Sequence, residues 1–451
     1  MALTAGRTRR HVLKAVGASA AGALAAPYVK TAGSAGRLRL GVIDHWVPGT
    51  NEVLQRILSR WGETNNVEVT VDFITTIGNK LLLTAQAESR AGSGHDIYAL
   101  EFQMVPMFKH RLVAVDDVVE DVISTHGPIA DISRQAAFLD GAWKAGPSPA
   151  STASAATVAR RDLFLAHAGI DLTEWFPAGD ARDPALVDRW DWESFSDAAG
   201  ALHAAGRPVG AAIAPVTDSS AWLAQLFASY GAAVVDESGD IAADSDAVRE
   251  VLAYLTRLTE FMPDSVYAWD DASNNRWIIS GAGSAIFNPP SAWAVAKRDN
   301  PDVARHLWHC DAPRGPIGRF RAFNSVFWGI WDFSENQSAA RDLLRYVAEP
   351  EVVVATLEAS QGYDLPLFRS HYDRTRVWAE AGPPVGGLYN YALRGDERTV
   401  TDGYPAPPEI AARISTQRVV PNLVARVTQG GDSFEDAISW AENELEGVLR
   451  G

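Results

Sequence analysis

Two kinds of cluster in the chain could do chemistry. His306, His309 and Cys310 form a His-x-x-His-Cys group, while Asp116-Asp117 and Asp270-Asp271 are adjacent carboxylates. Side chains alternate along a strand, so the two histidines would face opposite sides, and Trp308 between them points to packing rather than metal ligation. Adjacent carboxylates cannot both face one site, and a solvated turn or a helix cap is the expected role of each pair. Carboxylates that hydrolyse a glycosidic bond must lie ~5–9.5 Å apart, a separation that sequence does not place. There is no Gly-x-Ser-x-Gly elbow, no Gly-Lys dipeptide and no complete Gly-x-Gly-x-x-Gly after a strand. The expectation is a protein without a catalytic centre, cofactor or metal. Its outlier is aromatic surface: 15 Trp, 11 Tyr and 16 Phe exceed what a core of this size must use.

Charge narrows the partners. Lys and Arg number 40 against 56 Asp and Glu, a formal net charge of −16, and no basic run lies beyond the extreme N-terminus. Nucleic acid, which needs clustered cations to displace counterions, is therefore not an expected partner. A 47% hydrophobic and 21% charged composition excludes whole-chain disorder, collagen and coiled coil. Cys310 is the only cysteine, so neither an internal disulfide nor a cysteine-based zinc cage can form. At ~150 residues per domain, 451 residues imply two or three domains.

Residues 1–26 carry Arg7, Arg9, Arg10 and Lys14 with no acid, then a small-residue apolar stretch ending in Ala23-Leu24-Ala25. This is the order of an export signal, read over residues 1–30 with cleavage near 25–26. Thr8-Arg9-Arg10-His11-Val12-Leu13-Lys14 resembles the twin-arginine motif, which makes the twin-arginine export machinery an expected partner. Removal lowers the cations from 40 to 36 against 56 acids, a balance of −20. No other stretch reaches the ~18–20 apolar residues of a membrane span, and no Cys sits at the cleavage point to carry a lipid. A periplasmic, soluble protein is expected.

The elements behind these residues follow from periodicity. Leu38, Leu40 and Val42 alternate as a strand, and Val67, Val69, Val71 and Phe73 do so more strictly. Thr50 is read as the cap of a helix carrying Val53, Leu54, Ile57, Leu58 and Trp61. A helix over 81–91 and a short strand over 96–100 complete a strand-helix-strand-helix-strand run, the pattern of a doubly wound α/β domain. Gly146-Pro147-Ser148-Pro149 reads as a break. Helices are expected over 161–168, 192–205, 220–230, 247–261 and 337–347, and a strand near 322–331. The stretch 382–408 reads as an irregular loop. Asp432 and Glu435 are read as the capping box of the last helix.

Several blocks together resemble the extracellular solute-binding proteins of ABC importers, in the carbohydrate-type branch. Gly78-Asn79-Lys80-Leu81 through Gly94-His95-Asp96-Ile97 is similar to the family's "G-x-D-I" block, and Leu112-Val113-Ala114-Val115-Asp116-Asp117 follows it as in the family. Arg160-Arg161-Asp162-Leu163-Phe164 with Ala168-Gly169-Ile170 resembles "R-K-D-L-F-x-x-A-G-I", and Asp191-Trp192-Glu193-Ser194-Phe195 resembles "T-W-D-E-F". Ser280–Ile286 with Trp293, and Gln361-Gly362 with Pro366, resemble the later blocks, in family order. The resemblance implies an α/β, two-lobe periplasmic-binding fold with three interlobe crossings and a ligand cleft between the lobes. One lobe would be 37–146 plus 312–348, the other 149–310 plus 350–451. It also implies capture of a carbohydrate or polyol by a monomer that docks on the transmembrane permease subunits. A periplasmic carbohydrate-active enzyme and a same-fold sensor are the alternatives.

A sugar offers hydroxyls to hydrogen-bond and apolar ring faces to stack, so its site needs carboxylates, amides and aromatics. Ligands in open α/β sheets bind beyond the carboxyl ends of strands. The positions that satisfy both are Asp44 and Trp46 after the first strand, Glu101 and Phe102 after the third, and Ser148 in the first crossing. Trp222, Asn288 and Trp293 are the second-lobe candidates, with Asn324 and Trp328 on the late strand and Tyr363 and Asp364 in the late turn. Trp328 and Trp331 are three apart and on opposite strand faces, so at most one faces the cleft. Ser291 stands where a maltose-type protein would carry a stacking Trp.

Overall fold

The computed structural model describes residues 36–129, 131–178, 181–372, 374–377 and 397–450. The export segment 1–30 and most of the 382–408 loop lie outside them. Strands form where alternation demanded them. β1 (Gly36–Ile43) pairs in parallel with β2 (Val67–Ile74) along its whole length, and β3 (Ile97–Glu101) lies parallel on its other side. The helices α1 (Thr50–Asn65) and α2 (Lys80–Ala91) are the crossovers that parallel pairing requires.

Six further strands complete two sheets: β4 (Gly146–Ser154), β5 (Ala156–Arg160), β6 (Ala285–Asn288), β7 (Leu307–Cys310), β8 (Phe320–Ile330) and β9 (Arg398–Val400). The larger sheet runs β9-β8-β3-β1-β2 with β4 alongside β8, and the smaller runs β6-β5-β7. Among the helices that cover them are α3 (Trp192–Ala204), α4 (Thr217–Tyr230), α5 (Asp246–Thr259), α6 (Ser273–Ile279) and α7 (Ser291–Asp299). After β8 come α8 (Gln337–Val347), α9 (Pro350–Ala359), α10 (Val419–Thr428) and α11 (Phe434–Arg450).

Separate apolar cores make this a two-lobe α/β fold. One gathers Leu38, Leu40, Leu100, Phe327, Trp331, Leu343 and Leu344 around β1, β3 and α8. The other gathers Trp190, Trp192, Trp222, Leu252, Leu423 and Leu445 around α3, α4, α5, α10 and α11. Much of the aromatic surplus is used here. Trp190, Trp192, Trp222, Trp293 and Trp331 are fully buried. A buried indole still needs an acceptor for its N–H. Trp190 finds the Asp311 carbonyl at 2.9 Å, Trp192 the Ser229 hydroxyl at 2.8 Å and Trp222 the Ala212 carbonyl at 2.8 Å.

Three local expectations are corrected. The 146–149 segment is the start of strand β4, not a break. Its prolines are tolerated because β4 is an edge strand that pairs with β8 alone, and because a register shift between Ser325 and Phe327 leaves Pro149 outside the paired positions. Thr50 is the first residue of α1 and caps nothing, because Gly49 at φ 93° holds the cap position. The last helix is capped by Ser433, whose hydroxyl accepts from the Asp436 N–H at 3.1 Å, while Asp432 pairs with Arg426 at 2.7 Å. α8 spans the residues 337–347 that its periodicity marked.

Candidate functional site

A pleated strand offers every second side chain to one face. On β8, Ala322, Asn324, Val326 and Trp328 all line one cavity, of about 1230 Å³ counted out to its open mouth. The intervening Phe323 and Phe327 turn into apolar cores. β8 runs antiparallel to β3 with Val326 opposite Glu101 and Trp328 opposite Ala99, and Glu101 and Ala99 line the same cavity. Trp331 falls on the other face, where its Nε1 donates to Glu88 at 3.2 Å in the core.

The loop after β1 adds His45 and Trp46. His45 Nδ1 accepts the Val47 N–H at 2.9 Å, so Nε2 carries the ring proton and donates to Asp364 Oδ2 at 3.0 Å. Tyr363 packs edge-on against the His45 ring at 5.0 Å. Thr50 and Asn51, at the start of α1, complete this side.

The facing wall comes from the second lobe. Thr217 and Asp218 open α4, Asp271 precedes α6, and Asn275, Phe287, Asn288 and Ser291 complete it. Its amides form a connected floor. Asn274 donates to Asp218 Oδ2 at 2.5 Å and to Asn288 Oδ1 at 3.0 Å. Asn288 donates in turn to Asn275 Oδ1 at 2.5 Å and to Ser291 Oγ at 3.1 Å. A fully bonded network of this kind fixes rotamers and so the shape of the floor.

Three carboxylates of the cavity are bonded by neutral donors. Glu101 accepts from Asn324 at 2.8 Å and from Gln103 at 3.0 Å, and Asp271 accepts the Asp218 N–H at 3.1 Å. Burial raises the pKa of Glu101 against these hydrogen bonds. Burial and the neighbouring Asp271 charge push Asp218 well up, and burial raises Asp271 too. The counter-charge is Arg418, outside the lining, which donates to Ser220 and Thr217 at 3.0 Å each and lowers all three acids electrostatically.

Of the sequence candidates, the cavity gathers Trp46, Glu101, Asn288, Asn324, Trp328, Tyr363 and Asp364, with Ser291. Five stand elsewhere. Asp44 is exposed and accepts from Asn51 at 2.7 Å. Phe102 packs on the first core. Ser148 ties β4 to β8 by donating to the Val326 carbonyl at 3.0 Å. Trp222 lies behind the wall, stacked on the cavity residue Phe287 at 5.5 Å and 8°. Trp293 is buried beneath Lys297, whose ammonium is 3.9 Å from its ring centre. The reading of Asp270-Asp271 as a turn or cap holds for Asp270, which accepts the Ala272 N–H at 3.1 Å, but Asp271 lines the cavity. Asp218, Asn275 and Arg418 were not foreseen. Among the described residues no His, Cys, Asp and Glu group is arranged to hold a metal, and no helix is long and apolar enough to cross a membrane.

Two α/β lobes around a cleft walled by alternating strand residues define the architecture of a binding protein. The chain belongs to the bacterial extracellular solute-binding protein family, whose pattern it matches over residues 48–354. Solved structures share the fold at low identity. Maltose-bound MalE3 of T. maritima has a TM-score of 0.68 at 18% identity, covering 91% of this chain and 99% of its own. A solute-binding protein of Thermotoga lettingae TMO with alpha-D-tagatose gives 0.71 at 15%, covering 92% and 100%. A sugar transporter of Arthrobacter chlorophenolicus A6 with laminaribiose gives 0.72 at 13%, covering 92% and 99%. No curated protein matches the chain by sequence.

Proposed function

We propose that the protein is the periplasmic solute-capturing component of an ABC importer for a carbohydrate or polyol, and that it catalyses no reaction. The observation that carries this reading is the composition of the cleft. Trp46 and Trp328 offer ring faces to stack, while Glu101, Asn288, Asn324 and Asp364 offer the acceptors and donors that hydroxyls need. Neighbours of the same fold hold maltose, tagatose and laminaribiose, in keeping with this chemistry. His45, Asp218, Asp271 and Asn275 join these as proposed ligand residues.

A solute touching both walls makes its full set of contacts only when the lobes are closed, so it favours that form. The closed monomer would then dock on the permease subunits. The lobes are assigned as 37–146 with 312–348 and 149–310 with 350–451; the two cores support this division except at the start of the last segment, where Val352, Leu367 and Phe368 pack in the first core. Residues 1–30 are assigned as a twin-arginine signal on the strength of Arg9-Arg10 and the acid-free, Ala-rich stretch that follows.

A thermal-shift screen of the protein against mono- and oligosaccharides, polyols, amino acids and polyamines tests the substrate class. A sugar or polyol at 100 times its Kd should add about 2.7 kcal/mol of stability. If only amino acids or polyamines raise the melting temperature, the carbohydrate assignment is wrong.

A further inference from the structure

The charged groups of the cleft are one-sided. Its lining carries four carboxylates, Glu101, Asp218, Asp271 and Asp364, and among the described residues neither Lys nor Arg. Asp364 is matched by His45, and Arg418 stands behind the other three. One guanidinium outside the lining leaves an excess of carboxylates facing the cavity.

Uncommitted groups point the same way. Thr50 lines the cavity at 2% exposure, and its hydroxyl has no hydrogen-bond partner among the described residues. Asn324 spends its amide N–H on Glu101, which leaves its Oδ1, also buried, without a donor. Buried polar atoms are nearly always satisfied, so these two are places for a ligand's hydrogens. The carboxylates accept only, Asn324 Oδ1 accepts only, and Thr50 accepts as readily as it donates. The site therefore calls for a ligand rich in donors and short of negative charge.

Resting on the solute-binding reading above, we propose that the solute is a polyhydroxylated ring bearing a protonated amine, an amino sugar or aminocyclitol, rather than a neutral sugar. An ammonium brings three donors and one positive charge to acceptors that otherwise repel one another. The rings of Trp46 and Trp328 add a surface that attracts a cation as well as an apolar ring face. Burial first, and the neighbouring Asp271 charge after it, raise the pKa of Asp218 in the free protein. A neutral sugar could donate hydroxyls to the same oxygens but would leave the charge excess in place.

Calorimetric titration of the full chain with matched probes at neutral pH decides between them. The pairs are glucosamine against glucose, the fully deacetylated glucosamine disaccharide against cellobiose, and 1-deoxynojirimycin against 1,5-anhydroglucitol. In at least one pair the amine member should bind roughly tenfold or more tightly than its partner. Asp271→Asn should erase most of that preference, and Asp218→Asn does the same should the first variant fail to fold by circular dichroism. If amine members bind no better than neutral ones in all pairs, whether both bind or neither does, the inference is overturned. A preference that both folded variants retain in full overturns it as well. The solute-binding reading fails by a different result, the absence of any sugar or polyol response, charged or neutral, in the thermal-shift screen.

Discussion

His45 Nε2 and Asp364 Oδ2 meet at 3.0 Å across a separation of 319 residues. The histidine leaves the first parallel strand, and the aspartate sits in the turn after α9, only 3% exposed. Because the Val47 N–H already occupies Nδ1, the ring can make this bond in one tautomer only, and the pair orients both groups in the wall of the cleft. Asp364→Ala should lose about 1–3 kcal/mol of stability, the cost of an unpaired buried donor, and should weaken solute binding as well. Asp364→Asn, which keeps an acceptor oxygen, should recover part of both losses. Denaturant melts and titration of the two variants read this, and equal losses would show that charge, not hydrogen bonding, is what matters.

The pH dependence of stability should have a component from His95. Burial disfavours its charge, but hydrogen bonds to Glu88 at 2.6 Å and Asp72 at 2.9 Å outweigh that and raise its pKa above 6.5. Its folded pKa is raised, so the stabilisation is complete below pH 6.5 and is lost as pH climbs past the folded value. Asp72 moves the other way: its pKa is lowered below 3.8, chiefly by the hydrogen bond to His95, so its share disappears as pH falls through that range. Wild type minus His95→Gln should therefore show a larger melting-temperature gap at about pH 5.5 than at about pH 8.5. A gap independent of pH would refute the pairing.

His309 should act in the opposite sense. Burial, with the nearby Arg321 charge, pulls its pKa down to about 3. Folding then holds it neutral while the unfolded chain takes up a proton below about pH 6.5, which drains stability as the solution is acidified. His309→Asn should flatten the acid limb of the wild-type stability curve between about pH 6.5 and 4. An unchanged slope would place the acid sensitivity elsewhere.

Trp222 offers a test of what lies in front of the wall and what lies behind it. Trp222→Ala should cost about 3–5 kcal/mol through the cavity it opens. Trp222→Phe should cost less and leave solute affinity within a fewfold, since the indole touches the ligand space only through Phe287. Trp328→Phe should show the reverse pattern, with affinity falling more than stability. Parallel melts and titrations of the two Phe variants separate the cases, and a large affinity loss in Trp222→Phe would put its ring in the site.

Export is tested in cells. Arg9→Lys with Arg10→Lys should hold the protein in the cytoplasm, because lysine lacks the planar guanidinium that a receptor of an arginine pair can grip. Fractionation followed by blotting reads the outcome. Normal export of the double variant would remove the twin-arginine assignment.

Much of the architecture was legible because it rests on local periodicity: the alternation of 67–73, the helical spacing of 337–347 and the opposite faces of Trp328 and Trp331 are properties of short windows. The cleft was half legible for the same reason. Glu101, Asn324 and Trp328 follow from strand ends and alternation, whereas Asp218 meets Asp271 across 53 residues through tertiary packing that no window contains. Trp222 misled because a large aromatic on a helix reads alike whether it supports a wall or forms it. Thr50 misled because a good capping residue stood one position inside a helix that a glycine had already started.

The alternation of β8 also constrains how this cleft can change. Replacing Asn324 or Val326 alters the wall of the cleft while Phe323, Phe327 and the buried Trp328 keep the cores intact, so the lining can change one substitution at a time. A single-residue insertion or deletion between 322 and 328 has no such graded effect. It exchanges the two faces at once, carrying phenyl rings into the cleft and an amide into the hydrocarbon interior. Diversification along this strand is thus open to point changes and closed to changes of length.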